Sequence, residues 1–232
     1  METLYKEFMR EYESLENMEE IKIEDDSNVN YYIPHHAVYK PEKTSTPLRV
    51  VFDASAKTSR YSLNSILLNG GIIQQDLFSI VSRFRKHRYA FSADIKKKMY
   101  RQILIDPTQI DLQRIVWKSS ADVPVKISKL STVNYGTVSA PFLATRTLRA
   151  LADEEKNDFP KAADVTCSEF NMDDILSGDL TLEDTKNLQT QISELLKRAG
   201  FELHKCVANN CNLLQTCLLH PIHFQKNKVL VL

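Results

Sequence analysis

Glu169-Phe170-Asn171-Met172-Asp173-Asp174-Ile175-Leu176-Ser177-Gly178 is the stretch on which the reading of this chain turns. Two adjacent carboxylates sit between short apolar runs. Val165 and Phe170 supply β-formers upstream, and Ile175-Leu176 resumes the pattern before Ser177-Gly178 closes it. The pattern predicts a hairpin with Asp173 and Asp174 at its tip. Carboxylates held side by side repel each other, and a divalent cation offsets a repulsion that otherwise raises one pKa. Asp also favours turns for conformational reasons of its own, so the pair alone is a weak signal. A third carboxylate must come from elsewhere. Asp94 is the candidate, in the strand-like run Tyr89-Ala90-Phe91-Ser92-Ala93-Asp94-Ile95.

The 232 residues, 43% hydrophobic and 26% charged, suit one large globular domain or two small ones. No apolar run approaches the roughly 18 residues of a membrane helix, and the first residues lack a signal-peptide core. The 4 Cys are few and late, which argues against a disulfide framework and for a reducing, cytoplasmic setting. The formal net charge is zero, but its distribution is lopsided. Residues 1–26 carry ten acidic and three basic side chains. Residues 83–101 carry eight (Arg83, Arg85, Lys86, Arg88, Lys96, Lys97, Lys98, Arg101) around Asp94. A basic block around a metal-binding carboxylate suits a polyanionic substrate, whereas a solvated helix face and a lysine loop is the plainer alternative.

Leu4, Phe8, Met9, Tyr12, Leu15 and Met18 recur at spacings of three and four, predicting an acidic amphipathic helix over residues 1–20 that ends at Asp25-Asp26. His36 to Lys40 and Leu48 to Asp53 flank turn-forming residues. They predict a hairpin with Lys43 at its tip and Arg49 on its return strand. His35-His36 invites a metal reading, but successive strand residues face opposite ways, so one of the two is expected buried and hydrogen-bonded. Leu77, Ile80, Val81 and Phe84 outline a helix. Ile115-Val116-Trp117 and Val125 to Val133 look like paired strands, and Tyr135-Gly136 begins a turn into a helix with Pro141 in its first turn. Thr181 to Asp184 resembles a capping box opening a helix that ends at Gly200, followed by an alternating strand at Phe201 to Val207. This order predicts an α+β fold, with helices on one face of an antiparallel sheet and carboxylates gathered on the sheet.

Taken in order, these blocks resemble the reverse transcriptase of Bel/Pao-type LTR retrotransposons, from roughly Tyr5 to Asn210. They are Tyr31 to Lys40 (YYIPHHAVYK), Leu48 to Ser59 (LRVVFDASAKTS), Leu63-Asn64, Asp76-Leu77-Phe78, Arg83-Phe84-Arg85, His87 to Asp94, Met99 to Leu104 (MYRQIL), Leu130 to Arg146 (LSTVNYGTVSAPFLATR), Asp173-Asp174 and Gly200 to Lys205. The resemblance implies the fingers and palm of a right-hand polymerase. Residues 1–30 would form an acidic helix and connection, 31–93 mostly fingers and 94–210 mostly palm, with 211–232 unassigned. Asp94, Asp173 and Asp174 would hold two Mg²⁺ (or Mn²⁺) ions about 4 Å apart for transfer of a nucleotide to a primer 3′-hydroxyl. The partners implied are an RNA or DNA template with its primer and deoxynucleoside triphosphates.

The same resemblance assigns the remaining site residues. Arg49, and more weakly Lys43, would grip the triphosphate. Tyr100 would pack under the deoxyribose, Tyr135-Gly136 would line the nucleotide, and Lys205 would stand near the leaving pyrophosphate. Three departures stand out. Asp94-Ile95-Lys96-Lys97-Lys98-Met99-Tyr100 is one residue longer than the family's usual Asp-Ile-Glu-Lys-Met-Tyr, which would turn Tyr100 out of register. Asn171 stands where a Tyr usually precedes the Asp pair, and Cys206 where a Trp is frequent. The chain also ends at Leu232, without the thumb and RNase H segments expected of such elements. The alternative is therefore a decayed fragment that at most binds nucleic acid. A zinc module from His204, Cys206, Cys211, Cys217, His220 and His223 is a weaker reading still, because the spacings match no zinc pattern.

Overall fold

The computed structural model describes residues 1–21, 29–42, 47–58, 60–96, 99–218 and 229–230. In chain order the first elements are α1 (Glu2–Ser14), β1 (Met18–Glu20), β2 (His35–Tyr39), β3 (Leu48–Phe52), α2 (Leu63–Ile66) and α3 (Leu77–Phe84). β4 (Tyr89–Ile95), a 3₁₀ turn at Tyr100–Gln102, β5 (Ile103–Leu104), β6 (Arg114–Trp117) and β7 (Lys126–Leu130) follow. Then come α4 (Ala140–Glu154), α5 (Pro160–Ser168), β8 (Phe170–Asn171), β9 (Asp174–Asp179), α6 (Leu182–Arg198), β10 (Leu203–Ala208), α7 (Cys211–Leu218) and β11 (Val229–Leu230). Antiparallel sheets with helices between the strands make this an α+β chain.

The chain folds as two interleaved units. The first takes Met1–Asn69, Leu104–Ala140 and Leu230–Leu232, and the second takes Gly70–Ile103 and Pro141–Val229. A linear division at residue 93 therefore does not coincide with the units, because residues 104–140 pack with the N-terminal segments.

In the first unit, Met9, Tyr12, Met18, Ile33, Phe52, Leu63, Ile115 and Leu130 form one buried cluster. The Tyr12 ring packs between Phe8 and Phe52, at 5.3 and 5.5 Å between centroids. The helix predicted over 1–20 stops at Ser14, and Met18–Glu20 is a strand antiparallel to β7 with Met18 opposite Leu130. A hydrogen-bonded cap explains the early stop. Glu16 takes a left-handed φ of 56°, its N–H donates to the Glu13 carbonyl, and the Asn17 N–H donates to the Tyr12 carbonyl. That is the Schellman arrangement, reached here without glycine. The acidic strand then meets basic partners, with Lys129 bonded to Glu19 at 2.8 Å and Lys126 to Glu20 at 2.5 Å.

β2 and β3 pair antiparallel with Arg49 opposite Val38, as the hairpin reading requires; Lys43 lies outside the described residues. Of the two histidines, His35 is half-buried and His36 exposed. The His35 Nε2–H donates to the Val116 carbonyl at 3.0 Å, and its Nδ1 accepts from the Tyr5 hydroxyl. Burial pushes the Tyr5 phenol up to about 12, so it stays protonated and able to donate. Burial also pushes the His35 imidazole below its ordinary value of 6.5, against the opposing pull of the Val116 carbonyl. Protonation would place a second N–H against the Tyr5 oxygen. A depressed folded-state pKa means stability is present above the ordinary value and lost as pH falls through the folded one. The thermal midpoint is expected to drop as pH is lowered from about 7 toward 5, and His35→Gln should flatten that slope. Melts across that range check it.

In the second unit, β10-β4-β9-β8 form an antiparallel sheet. Phe91, Ala93 and Ile95 of β4, with Ile175 and Ser177 of β9, make its buried face. α6 begins at Thr181, whose hydroxyl accepts from the Asp184 N–H at 3.1 Å. It ends at Gly200 (φ 74°), with Phe201 N–H donating to Leu196 O and Gly200 N–H to Lys197 O. Val165, read from sequence as a β-former entering the hairpin, lies instead in α5. Pro160 occupies that helix's first turn, and Ala162, Ala163 and Thr166 are its buried residues. The few late cysteines argue against a disulfide framework, yet Cys206 is disulfide-bonded, while Cys167 and Cys211 carry free thiols. Sequence spacing gave no sign of that pairing. Among the described residues, no helix is long and apolar enough to cross a membrane.

Candidate functional site

The predicted hairpin is present, and its register places the carboxylates. Asn171 pairs with Asp174, leaving Met172-Asp173 as a two-residue turn. Met172 adopts a left-handed φ of 60°, a conformation that costs a non-glycine residue about 1–3 kcal/mol. Such two-residue turns match the twist of the strands they join, which is what favours positive φ at the first central position. The turn is tied down on both sides. The Met172 N–H donates to the Gln74 Oε1 at 2.8 Å, while the Gln74 Nε2 lies 3.5 Å from the Met172 carbonyl. The Asp173 carbonyl accepts from the Ile95 N–H at 2.7 Å.

Across the sheet, Asp94 of β4 stands directly opposite Asp174 of β9. Strand alternation sends both away from the face made by Ala93, Ile95 and Ile175. Like charges directly opposed on a sheet destabilise it. The electrostatics carry that signature. Burial, then the Asp173 and Asp94 carboxylates, hold the Asp174 carboxyl above its ordinary value, with the Lys205 ammonium working against them. Asp94 Oδ1 is buried without a hydrogen-bond partner, while Oδ2 lies 3.3 Å from the Lys205 Nζ. Lys205 gets there through backbone geometry. β10 pairs with β4 at His204–Asp94 and resumes at Val207–Ser92, and within this irregularity Lys205 takes a φ of 53°. A bulge of this kind re-aims a side chain.

Tyr100 lies in the same unit, buried in its 3₁₀ turn. Burial, and secondarily the Asp173 carboxylate, push its phenol up. Lys97 and Lys98 lie outside the described residues. On either side of them Met99 N–H bonds Lys96 O at 3.1 Å, and Lys96 is tethered to Glu202 through Nζ at 2.9 Å. The basic block is only partly available to a ligand. Arg83 donates to the Ser168 carbonyl and Lys96 pairs with Glu202, whereas Arg85, Lys86 and Arg88 are exposed, Arg88 over the Tyr89 ring.

Arg49, Tyr135 and Gly136 belong to the first unit. Arg49 is exposed on β3. Gly136 is required by close approach, since a Cβ there would sit 2.0 Å from the Phe52 carbonyl oxygen. The loop is held by Asn64, whose Nδ2 donates to Gly136 O at 2.9 Å and whose Oδ1 accepts from Val138 N–H at 2.8 Å. Gln74 and Asn64 are the residues a reading of the sequence does not assign. Each acts through a tertiary contact many residues away, which no local pattern encodes.

Among the described residues, no group of three or more His, Cys, Asp or Glu side chains is already arranged to hold a metal ion. The Lys205 ammonium faces Asp94 Oδ2. The donor set still fits a hard divalent cation, because it offers carboxylate oxygens, one of them buried without a partner. No protein-family model and no curated protein matches the chain.

Proposed function

We propose that the chain is the fingers and palm of an RNA-directed DNA polymerase of the Bel/Pao retrotransposon type, acting in the cytoplasm on a primed RNA or DNA template with deoxynucleoside triphosphates. One observation carries the reading. Asp94 and Asp174 oppose each other on adjacent strands with Asp173 at the turn beside them, a repulsive arrangement that a divalent cation relieves. Mg²⁺ or Mn²⁺ bound there would supply the charge that activates a primer 3′-hydroxyl and steadies a leaving pyrophosphate.

The chain's own part is to position and to neutralise. Asp94, Asp173 and Asp174 hold the cations. Arg49, with Lys43, grips the triphosphate, the fork of the guanidinium suiting phosphate oxygens. Tyr100 packs under the deoxyribose, and Tyr135-Gly136 lines the nucleotide. Lys205 leaves Asp94 and donates a proton toward the pyrophosphate.

Asn171, with the longer Lys96–Met99 segment, favours the second reading, a decayed element that binds nucleic acid without extending it. Primer extension on an RNA template separates the two. The expected result is extension that needs Mg²⁺ or Mn²⁺ and stops when the cation is chelated. Salt-sensitive binding without extension, in the full chain and in a version lacking Lys97, would overturn the polymerase reading and leave the second. Extension only after Lys97 is deleted would identify a polymerase silenced by a register slip.

A further inference from the structure

Of the two polar groups that a left-handed Met172 presents, both face one side chain. Gln74 Oε1 accepts from the Met172 N–H at 2.8 Å, and Gln74 Nε2 approaches the Met172 carbonyl at 3.5 Å. A carboxamide can do this because it carries a donor and an acceptor on one rigid plane, as a strand backbone does. Gln74 thus takes the place of a neighbouring strand at the point where β8 and β9 turn. The carbonyl it faces belongs to the peptide linking Met172 to Asp173, so its orientation sets the direction in which Asp173 leaves the turn. On the far side, Asp173 is fixed by Ile95 N–H, one residue after Asp94. The carboxylate pair is therefore braced between β4 and Gln74, and Gln74 acts on the strained residue itself.

We propose that Gln74 is a positioning residue for the cation site: it holds Met172 in its left-handed conformation and so fixes Asp173 and Asp174 for metal. The proposal rests on the polymerase reading of those carboxylates. It does not follow from Gln74 being a buried core residue, because its side chain is half-buried in a connection with exposed Ile72 and Gln75 around it. Nor does a general fold-stabilising role require Met172 in particular.

Glycine adopts positive φ without strain, so a turn that needs no holding should no longer need Gln74. Mn²⁺ binding by calorimetry and exchange of the Met172 amide would be measured on the full chain, on Gln74→Leu, and on Gln74→Leu/Met172→Gly. In the wild type and in Gln74→Leu the amide reads the brace without any metal. The expected results are a protected Met172 amide in the wild type, lost in Gln74→Leu, and Mn²⁺ affinity about tenfold weaker in that variant, the lower end for a lost supporting partner. The double variant should recover most of the affinity. Gln74→Glu keeps the acceptor for the Met172 N–H and loses the donor, and should fall between; it also serves if Gln74→Leu does not fold. Wild-type affinity in both Gln74→Leu and Gln74→Glu would overturn the proposal, as would a loss that Met172→Gly leaves unrepaired. A wild-type chain with a protected amide but no Mn²⁺ binding would instead overturn the metal reading beneath it.

Discussion

Asp173→Asn is expected to lower primer extension by ~10³-fold or more, equivalent to about 4 kcal/mol of transition-state stabilisation, and Asp94→Asn should do the same. The effect is electrostatic rather than structural. Each change keeps the size and most of the hydrogen bonding of the side chain while removing a negative charge that a divalent cation requires. The fold should not suffer. Burial and the two neighbouring carboxylates raise the folded-state pKa of Asp174, so the folded chain binds a proton there more readily than the unfolded one. That contribution to stability is full below the ordinary carboxylate value and is lost as pH rises from there through the raised folded-state value. At neutral pH the ionised Asp174 works against folding, and Asp174→Asn should raise metal-free stability by on the order of 0.5 kcal/mol, read as a higher thermal midpoint. Adding Mn²⁺ should raise the midpoint of the wild type and barely move that of the variants. A variant that loses activity while gaining metal-free stability is the pattern of a site built for a cation. Equal melting of wild type and variants, with and without Mn²⁺, would count against it.

Gly178→Ala is expected to cost about 3 kcal/mol, the upper range for forced overpacking and a large share of a typical domain's stability. A Cβ at Gly178 would stand 2.1 Å from the Tyr89 carbonyl oxygen and 2.9 Å from Ala90 Cα. Both are backbone atoms of β4, the strand against which Gly178 pairs at Ala90. No rotamer change relieves such a contact; the strands themselves must part. These are the strands that carry Asp94 and Asp174, so the variant should lose the site together with stability. Gly71→Ala is the matched control, since nothing lies within 4 Å of a Cβ there. Urea midpoints of the two variants against the wild type check the difference.

How far the sequence discloses the fold depends on whether a feature is local. The β8–β9 hairpin and the strand bearing Asp94 are legible because alternation and turn chemistry lie within a few residues. The ends of α1 and α6 make the contrast plain. Both close with the same pair of hydrogen bonds, but Gly200 announces one and Glu16 conceals the other. α5 is hidden by Val165, a β-branched residue whose strand preference is overridden by the alanines that its helix buries. The bulge that carries Lys205 to Asp94, and the reach of Gln74 to Met172, arise from tertiary placement and leave no trace in spacing. Arg83 and Lys96 look available in the sequence, and are committed elsewhere in the fold.

The interleaving of the two units bears on how a ribosome delivers this chain. β1 leaves the exit tunnel early, but its partner β7 follows more than a hundred residues later, with Met18 waiting for Leu130. β4 likewise emerges well before β9 and β10, which flank it on both sides. Closing such long loops carries an entropic cost and slows folding. In each unit the first strand of the sheet therefore pairs with a partner made long after it. α1 can pack on β3 early, through Tyr12 and Phe52, but Met18 of β1 waits for Leu130, and any fragment that stops before β10 lacks the strand that brings Lys205 to Asp94. Incomplete chains expose unpaired strand edges of the kind that holding chaperones bind.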